Sequence, residues 1–248
     1  MKLRIIGSGS LYDQAQRLAE AAGYELVNEG GDYILPATED DGVLGSLGEN
    51  ALFDPAAWEI ASSRLKTDET LRERGIPAPE YFPGGAEPYL VKPDRGSFGR
   101  GIWVTDDYCE VGGAVNAGFV TQEELQGDVW SAAAAGKPGA YAMYPPAKLT
   151  FDGRRQRVSA ELMDPPDGQG LEDTVRACAE ALGIRGVLEV EAIHHLGVWK
   201  VIDLNARLPM LTSDALLEQV LRVAGGEPVV SERNGYHDFA IFKQGVTL

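Results

Sequence analysis

The chain has 248 residues, 44% of them hydrophobic, and a formal net charge of −16. That is enough apolar material for one large domain or two to three small ones, while the summed negative field argues against nucleic acid or an anionic membrane as a partner, so an anionic ligand needs a local basic pocket. No stretch reaches the ~20 apolar residues of a membrane span; with an opening Met1-Lys2-Leu3-Arg4 unlike a signal peptide, isolated Cys109 and Cys178, and only His194, His195 and His237, a cytoplasmic chain without a disulfide framework or a histidine metal site is expected.

Leu3 to Ile6 reads as a strand, Gly7 to Ser10 as a turn, and Leu11, Ala15, Leu18, Ala19 and Ala22 recur at helical spacing. Tyr24 to Val27 and Tyr33 to Leu35 follow as strands, which makes the opening an abbreviated α/β unit with parallel strands. Asp54-Pro55 begins a helix, with a capping side chain and a proline in the first turn, and the helical stretch through Arg74 ends at Gly75. Pro77, Pro79 and Pro83-Gly84-Gly85 then form a stiff, turn-rich connection. Tyr89 to Lys92 and Ile102 to Val104 pair as a hairpin around the glycine-rich loop Pro93 to Gly101, and Gly118 to Glu123 adds a strand. Further strand patterns begin at Asp128, including the alanine-rich run Ser131 to Ala135. A helix follows with Leu171, Val175, Cys178 and Leu182 on one face. Val187 to His194 and Val198 to Asn205 make an antiparallel pair over Gly197. The expected division is 1–75, 76–126 and 127–248.

Two places concentrate chemistry. Gly96, Gly99 and Gly101, with Ser97 between them, let backbone N–H groups approach phosphate oxygens unobstructed, and Lys92, Arg95 and Arg100 gather positive charge there; the alternative is an ordinary hairpin tip. The spacing is not that of a P-loop, since the lysine precedes the glycines. Gly7-Ser8-Gly9 also follows a strand, but Tyr12 stands where a dinucleotide fingerprint needs its third glycine. We therefore read Gly7 and Gly9 as a structural turn, with a dinucleotide-dependent oxidoreductase as the weaker reading. Near the end of the chain, period-two alternation places Glu189 with Glu191, and Asp203 with Asn205 and Arg207, on single strand faces, while Ile202 and Leu204 point the other way. If the Gly197 hairpin pairs these strands, Glu191, Asp203 and Asn205 converge as hard oxygen donors of the kind Mg²⁺ prefers. The alternative is a solvated outer sheet face.

Taken in order, the lysine, the glycine-rich hairpin, the hinge segment and the terminal Asp-x-Asn-x-Arg run resemble the ATP-grasp superfamily, from about Arg64 to Ser213. Within it the chain is similar to the pyrrolysine-biosynthesis ligases that join methylornithine to lysine. The stretches that carry this are Leu52-Phe53-Asp54, Gly75-Ile76-Pro77, Tyr89-Leu90-Val91-Lys92-Pro93, Glu189-Val190-Glu191-Ala192-Ile193 and Ile202-Asp203-Leu204-Asn205-Ala206-Arg207-Leu208-Pro209. The resemblance implies an α/β chain of α+β lobes, an ATP-grasp fold behind a shortened Rossmann-like N-terminal domain. ATP would lie between the lobes, under a loop that includes Gly96, Ser97 and Gly99. Lys92 and Arg64 would meet it, the latter where many members carry lysine. Gln122 and Glu123 would edge adenine and Asp128 the ribose. Glu191, Asp203 and Asn205 would hold Mg²⁺, with Arg207 and Lys92 as catalytic groups. The implied reaction is phosphorylation of a carboxylate and then amine attack, forming an amide, and positioning and charge neutralisation carry most of the first step. Two unit charges about 4 Å apart interact by roughly 4 kcal/mol at an effective dielectric of 20, so such a site prevails over the net charge of the chain.

The implied partners are small-molecule amino acids, with methylornithine and lysine the best single guess and a homodimer left open. After Arg207 the family reads proline, then Ser-Gln-Thr-Pro. Here Pro209-Met210-Leu211-Thr212-Ser213 stands instead, which points to a different amino-acid pocket. The reduced N-terminal lobe leaves one alternative of another class, an inactive ATP-binding module or regulatory subunit.

Overall fold

The computed structural model describes residues 1–38, 40–44, 46–47, 51–83, 87–96, 100–152 and 157–208, together with Leu217, Val220 and Leu221. The first unit is β1 (Lys2–Gly7), α1 (Ser10–Ala21), β2 (Glu25–Leu26) and β3 (Tyr33–Ala37), a parallel sheet in the order β2-β1-β3. Gly7 closes β1 beside Ala37, and a Cβ at Gly7 would lie 2.1 Å from the Ala37 carbonyl oxygen. The approach of two backbones thus accounts for this glycine without a ligand.

A short α2 (Asp41–Leu44) precedes α3 (Pro55–Ala61) and α4 (Arg64–Glu73). The single helical stretch expected from Asp54 to Arg74 is in fact two helices. Asp54 caps the first by accepting from the N–H groups of Ala56 and Ala57, and Ser63 caps the second by accepting from Lys66 N. Consecutive serines break the run because their hydroxyls bond locally to the backbone in competition with helix continuation.

The small lobe contains β4 (Tyr89–Pro93), β5 (Trp103–Thr105), α5 (Tyr108–Asn116) and β6 (Phe119–Glu123), with an antiparallel sheet in the order β5-β4-β6. Helix α5 was not expected from the pattern: Gly112 and Gly113 sit in its middle, and it buries only Val111 and Ala114. Asp107 starts it by accepting from Cys109 N and Glu110 N.

The largest sheet is built from β7 (Val129–Lys137), β8 (Ala140–Met143), β9 (Ala147–Phe151), β10 (Arg157–Leu162), β11 (Gly186–His195) and β12 (Val198–Asn205), with α6 (Gly168–Leu182) packed on one face. Its order is β10-β9-β7-β11-β12, with β8 also on β7, and all pairs are antiparallel. The alanine-rich run lies at its centre. Ala132 and Ala134 join the core of α6, α3 and α4 with Leu71, Leu171, Val175 and Val190; Ala133 and Ala135 join a second core with Leu3, Leu18, Leu35 and Val187. Small side chains on both faces let two layers close on one strand. The N-terminal unit thus covers the Val187 end of β11. Glu189 and Glu191 follow on that same face by alternation. No helix among the described residues is long and apolar enough to cross a membrane.

Candidate active site

The site is organised by a bulge in β12. Glu189 pairs with Asn205, Val190 with Leu204 and Glu191 with Asp203, but Ala192 pairs with Val201, so Ile202 is the extra residue. Burial follows the slip: Trp199, Val201, Leu204, Ala206 and Leu208 are buried, whereas Lys200, Ile202, Asp203, Asn205 and Arg207 are half-buried. Strict alternation puts Lys200 and Asp203 on opposite faces; one inserted residue brings them to the same face. Ile202, expected to alternate regularly with Leu204, is the unpaired residue of the bulge and is half-buried where Leu204 is buried. The freed Ile202 carbonyl accepts a hydrogen bond from Lys92 Nζ of the small lobe at 3.2 Å.

Lys92 is 5% exposed. Burial first, and then the Arg64 guanidinium, pull its pKa from the ordinary 10.5 to about 8, against the opposing pull of Asp203, Glu191 and Asp68. The fold therefore brings Lys92, Arg64, Glu191 and Asp203 into one electrostatic neighbourhood. Arg64 donates to the carbonyls of Pro93 (2.6 Å), Asp94 (3.3 Å) and Gly96 (3.2 Å), partners that orient the guanidinium without cancelling its charge. Asp94, unremarked in the sequence, accepts from Ser63 Oγ at 2.9 Å and Leu65 N at 3.0 Å, fastening the start of the glycine-rich loop to α4. Arg95 turns toward α3, where its Nη2 lies 2.9 Å from Glu59 Oε1. Gly96 is exposed at the loop's start; Ser97 and Gly99 lie outside the described residues.

On the large sheet, Glu191 and Asp203 face each other in register and Asn205 follows on the same side. Asn205 Nδ2 donates to Glu189 Oε2 at 3.3 Å, and Ser131 Oγ donates to Glu189 Oε1 at 2.7 Å. Among the described residues no three His, Cys, Asp or Glu side chains form a metal cage of their own. Two facing carboxylates beside an amide match the partial, phosphate-completed coordination Mg²⁺ accepts, so the donor set fits that ion.

At the hinge, Gln122 is buried in β6 opposite Leu90. Glu123 accepts from Glu80 N at 3.1 Å and is paired with Lys200 of β12. Burial pushes the Glu123 pKa up, but the hydrogen bonds from Lys200 and Glu80 N and the Lys200 charge outweigh it and leave the pKa below the usual value. Its carboxylate thus ties one lobe to the other. Asp128 is exposed at the mouth of β7, 2.7 Å from Lys148 Nζ. Arg207 is half-buried, with Nη1 3.4 Å from the Leu208 carbonyl. Lys200 escaped the sequence reading because nothing in the pattern announces the bulge.

No family model matches the chain. Solved structures do. The chain overlays D-alanine–D-alanine ligase from Bacillus anthracis with a TM-score of 0.68 at 16% identity, covering 91% of this chain and 97% of that one. It overlays the biotin carboxylase domain of Hydrogenobacter thermophilus 2-oxoglutarate carboxylase, in complex with MgADP, with a TM-score of 0.75 at 15% identity, covering 93% and 71%. These neighbours are ATP-grasp enzymes, and the chain has the ATP-grasp fold. Among proteins of assigned activity it is similar to 3-methyl-D-ornithine–L-lysine ligase of Methanosarcina acetivorans, 29% identical over 193 residues, 75% of this chain and 52% of the relative. The Methanosarcina mazei ligase is 28% identical over 193 residues, 75% and 51%. The chain spans about half the length of these curated relatives.

Proposed function

We propose that the chain is an ATP-dependent carboxylate–amine ligase that joins two amino acids, with 3-methyl-D-ornithine and L-lysine as the first pair to try. The observation that carries this is the meeting of the lobes at the β12 bulge, where Lys92 reaches from β4 to the Ile202 carbonyl, beside Glu191 and Asp203. The likeness to lysine-joining relatives and the Mg-nucleotide bound by a fold neighbour support it.

In this reading Lys92 and Arg64 are the cationic wall for the phosphates of ATP, pre-positioned by backbone carbonyls, so that no reorganisation is needed when the polyanion arrives. Glu191, Asp203 and Asn205 would hold Mg²⁺, which would supply neutralisation of the phosphate charge when bound. Arg207 orients the reacting carboxylate from the same strand face. The carboxylate oxygen takes the γ-phosphoryl group with ADP leaving; the amine then attacks the acyl carbon, phosphate leaves, and the amide forms. Gln122 and the Glu123 backbone edge the base, and Asp128 serves the ribose. The parallel sheet β2-β1-β3 lies against the same face of the large sheet as Glu191, and in this reading the amino acids bind between the two.

Incubating the chain with ATP, Mg²⁺ and paired amino acids, with product mass and phosphate release read together, tests the proposal. Release that requires both amino acids and drops with Asp203→Ala supports it. Tight ATP binding with no product across a full amino-acid panel would favour the nucleotide-binding module instead.

A further inference from the structure

Glu189 is given no ligand role above, yet it is 3% exposed and faces the same side as Glu191. For the fold alone an apolar side chain would serve: its neighbour across β7 is Ala133, and two residues before it on β11 stands Val187. Burying a carboxylate is costly unless its oxygens are bonded. Here they are divided between two strands, Oε1 accepting from Ser131 Oγ of β7 at 2.7 Å and Oε2 from Asn205 Nδ2 of β12 at 3.3 Å.

The chemistry of that second bond fixes an orientation. A carboxylate can only accept, so Asn205 must turn its amide nitrogen to Glu189, and its Oδ1 is turned the other way. The reverse rotamer would set oxygen against oxygen in a poorly solvated place. We propose that Glu189 is a positioning residue, held by Ser131, that sets the Asn205 amide so that its carbonyl oxygen is presented to the cation bound by Glu191 and Asp203. This rests on the metal reading above. An asparagine ligand is ambiguous by a half-turn, and Glu189 removes the ambiguity; an aspartate would have no wrong way round.

The test is a titration of Mn²⁺ into the full chain with a non-hydrolysable ATP analogue, free Mn²⁺ being read by electron paramagnetic resonance. Glu189→Ala should weaken Mn²⁺ binding by about 10- to 100-fold, the usual consequence of losing a group that orients a metal ligand. Asn205→Asp alone should also weaken it, because it sets a second carboxylate against Glu189. The two together should bind within a few-fold of wild type, a reversal that general damage to the sheet would not produce. If Glu189→Ala does not fold, Glu189→Gln replaces it. Glutamine can donate to an aspartate at 205, so adding it to Asn205→Asp should restore binding. Wild-type affinity in Glu189→Ala, or no rescue in either double variant, overturns the inference. A wild-type chain that takes up no Mn²⁺ overturns the metal reading itself.

Discussion

Two lysines cross between the lobes, and they are treated differently. Lys200 of β12 meets Glu123 of β6, a carboxylate also bonded to Glu80 N and held below its usual pKa. Lys92 of β4 meets a backbone carbonyl at the bulge and, with Arg64 beside it, becomes less basic as it is buried. One charge is matched by a carboxylate dedicated to it, whereas the other meets a neutral carbonyl and has the Arg64 guanidinium as well as carboxylates around it. Both cations are withdrawn from solvent at least in part, so burial alone does not distinguish a structural pair from a binding group; the partner each one meets does, a carboxylate for Lys200 and a neutral carbonyl for Lys92.

The largest effect should separate the two lysines by function. Lys92→Met is expected to lower ligation about 10²- to 10³-fold, the scale for losing one preorganised charge-stabilising group. The melting temperature of the nucleotide-free chain should hold or rise; a fall in that temperature with activity intact would reverse the contrast. Lys200→Met should do the opposite, costing about 3 kcal/mol in urea denaturation because Glu123 is left buried without its cation. Adding Glu123→Gln should recover most of that loss, and no recovery would show that the two do not act as a pair.

The pH dependence comes next. With its folded pKa near 8 and an unfolded value near 10.5, Lys92 binds more protons when the chain is unfolded throughout that window. The metal- and nucleotide-free protein should therefore gain stability as pH rises from about 8 to 10.5, by up to on the order of 3 kcal/mol from this group. Below pH 8 the lysine is charged in both states and the cost of burying it is present in full. Denaturation midpoints across this range should differ between wild type and Lys92→Met, which lacks the titrating amine; parallel curves would refute the assignment. The smallest effect is at the loop's anchor, where Ser63→Ala removes the cap of α4 and a bond to Asp94. It should cost about 1 kcal/mol in chemical denaturation, and a change within error would show that Asp94 holds α4 unaided.

Much of this was legible beforehand. The alternation in β11 and β12 and the Gly197 turn foretold the hairpin, because side-chain direction has period two wherever a strand is regular; the regular register would set Glu191 opposite Ile202, and the bulge is what sets it opposite Asp203. The parallel opening sheet followed from short apolar runs around a helical repeat. Less visible were α5, whose two central glycines mask the helical pattern, and the break between α3 and α4, where two serines were read through as helix. The grouping of α3 and α4 with the large core depends on which surfaces meet, and the punctuation at Gly75 does not reveal it.

The sequence by itself determined the regular part of the molecule: where most strands run and which residues of one regular strand share a face. Local periodicity carries that information, since each residue's direction depends only on its neighbours. Tertiary structure decided the rest. The extra residue at Ile202 turns Lys200 to the face of Asp203 and frees the carbonyl that receives Lys92, and the Ser131–Glu189–Asn205 row spans three strands far apart in the chain. Neither has a local signature, because a bulge and a cross-strand hydrogen bond exist only once partners from distant segments have been brought together.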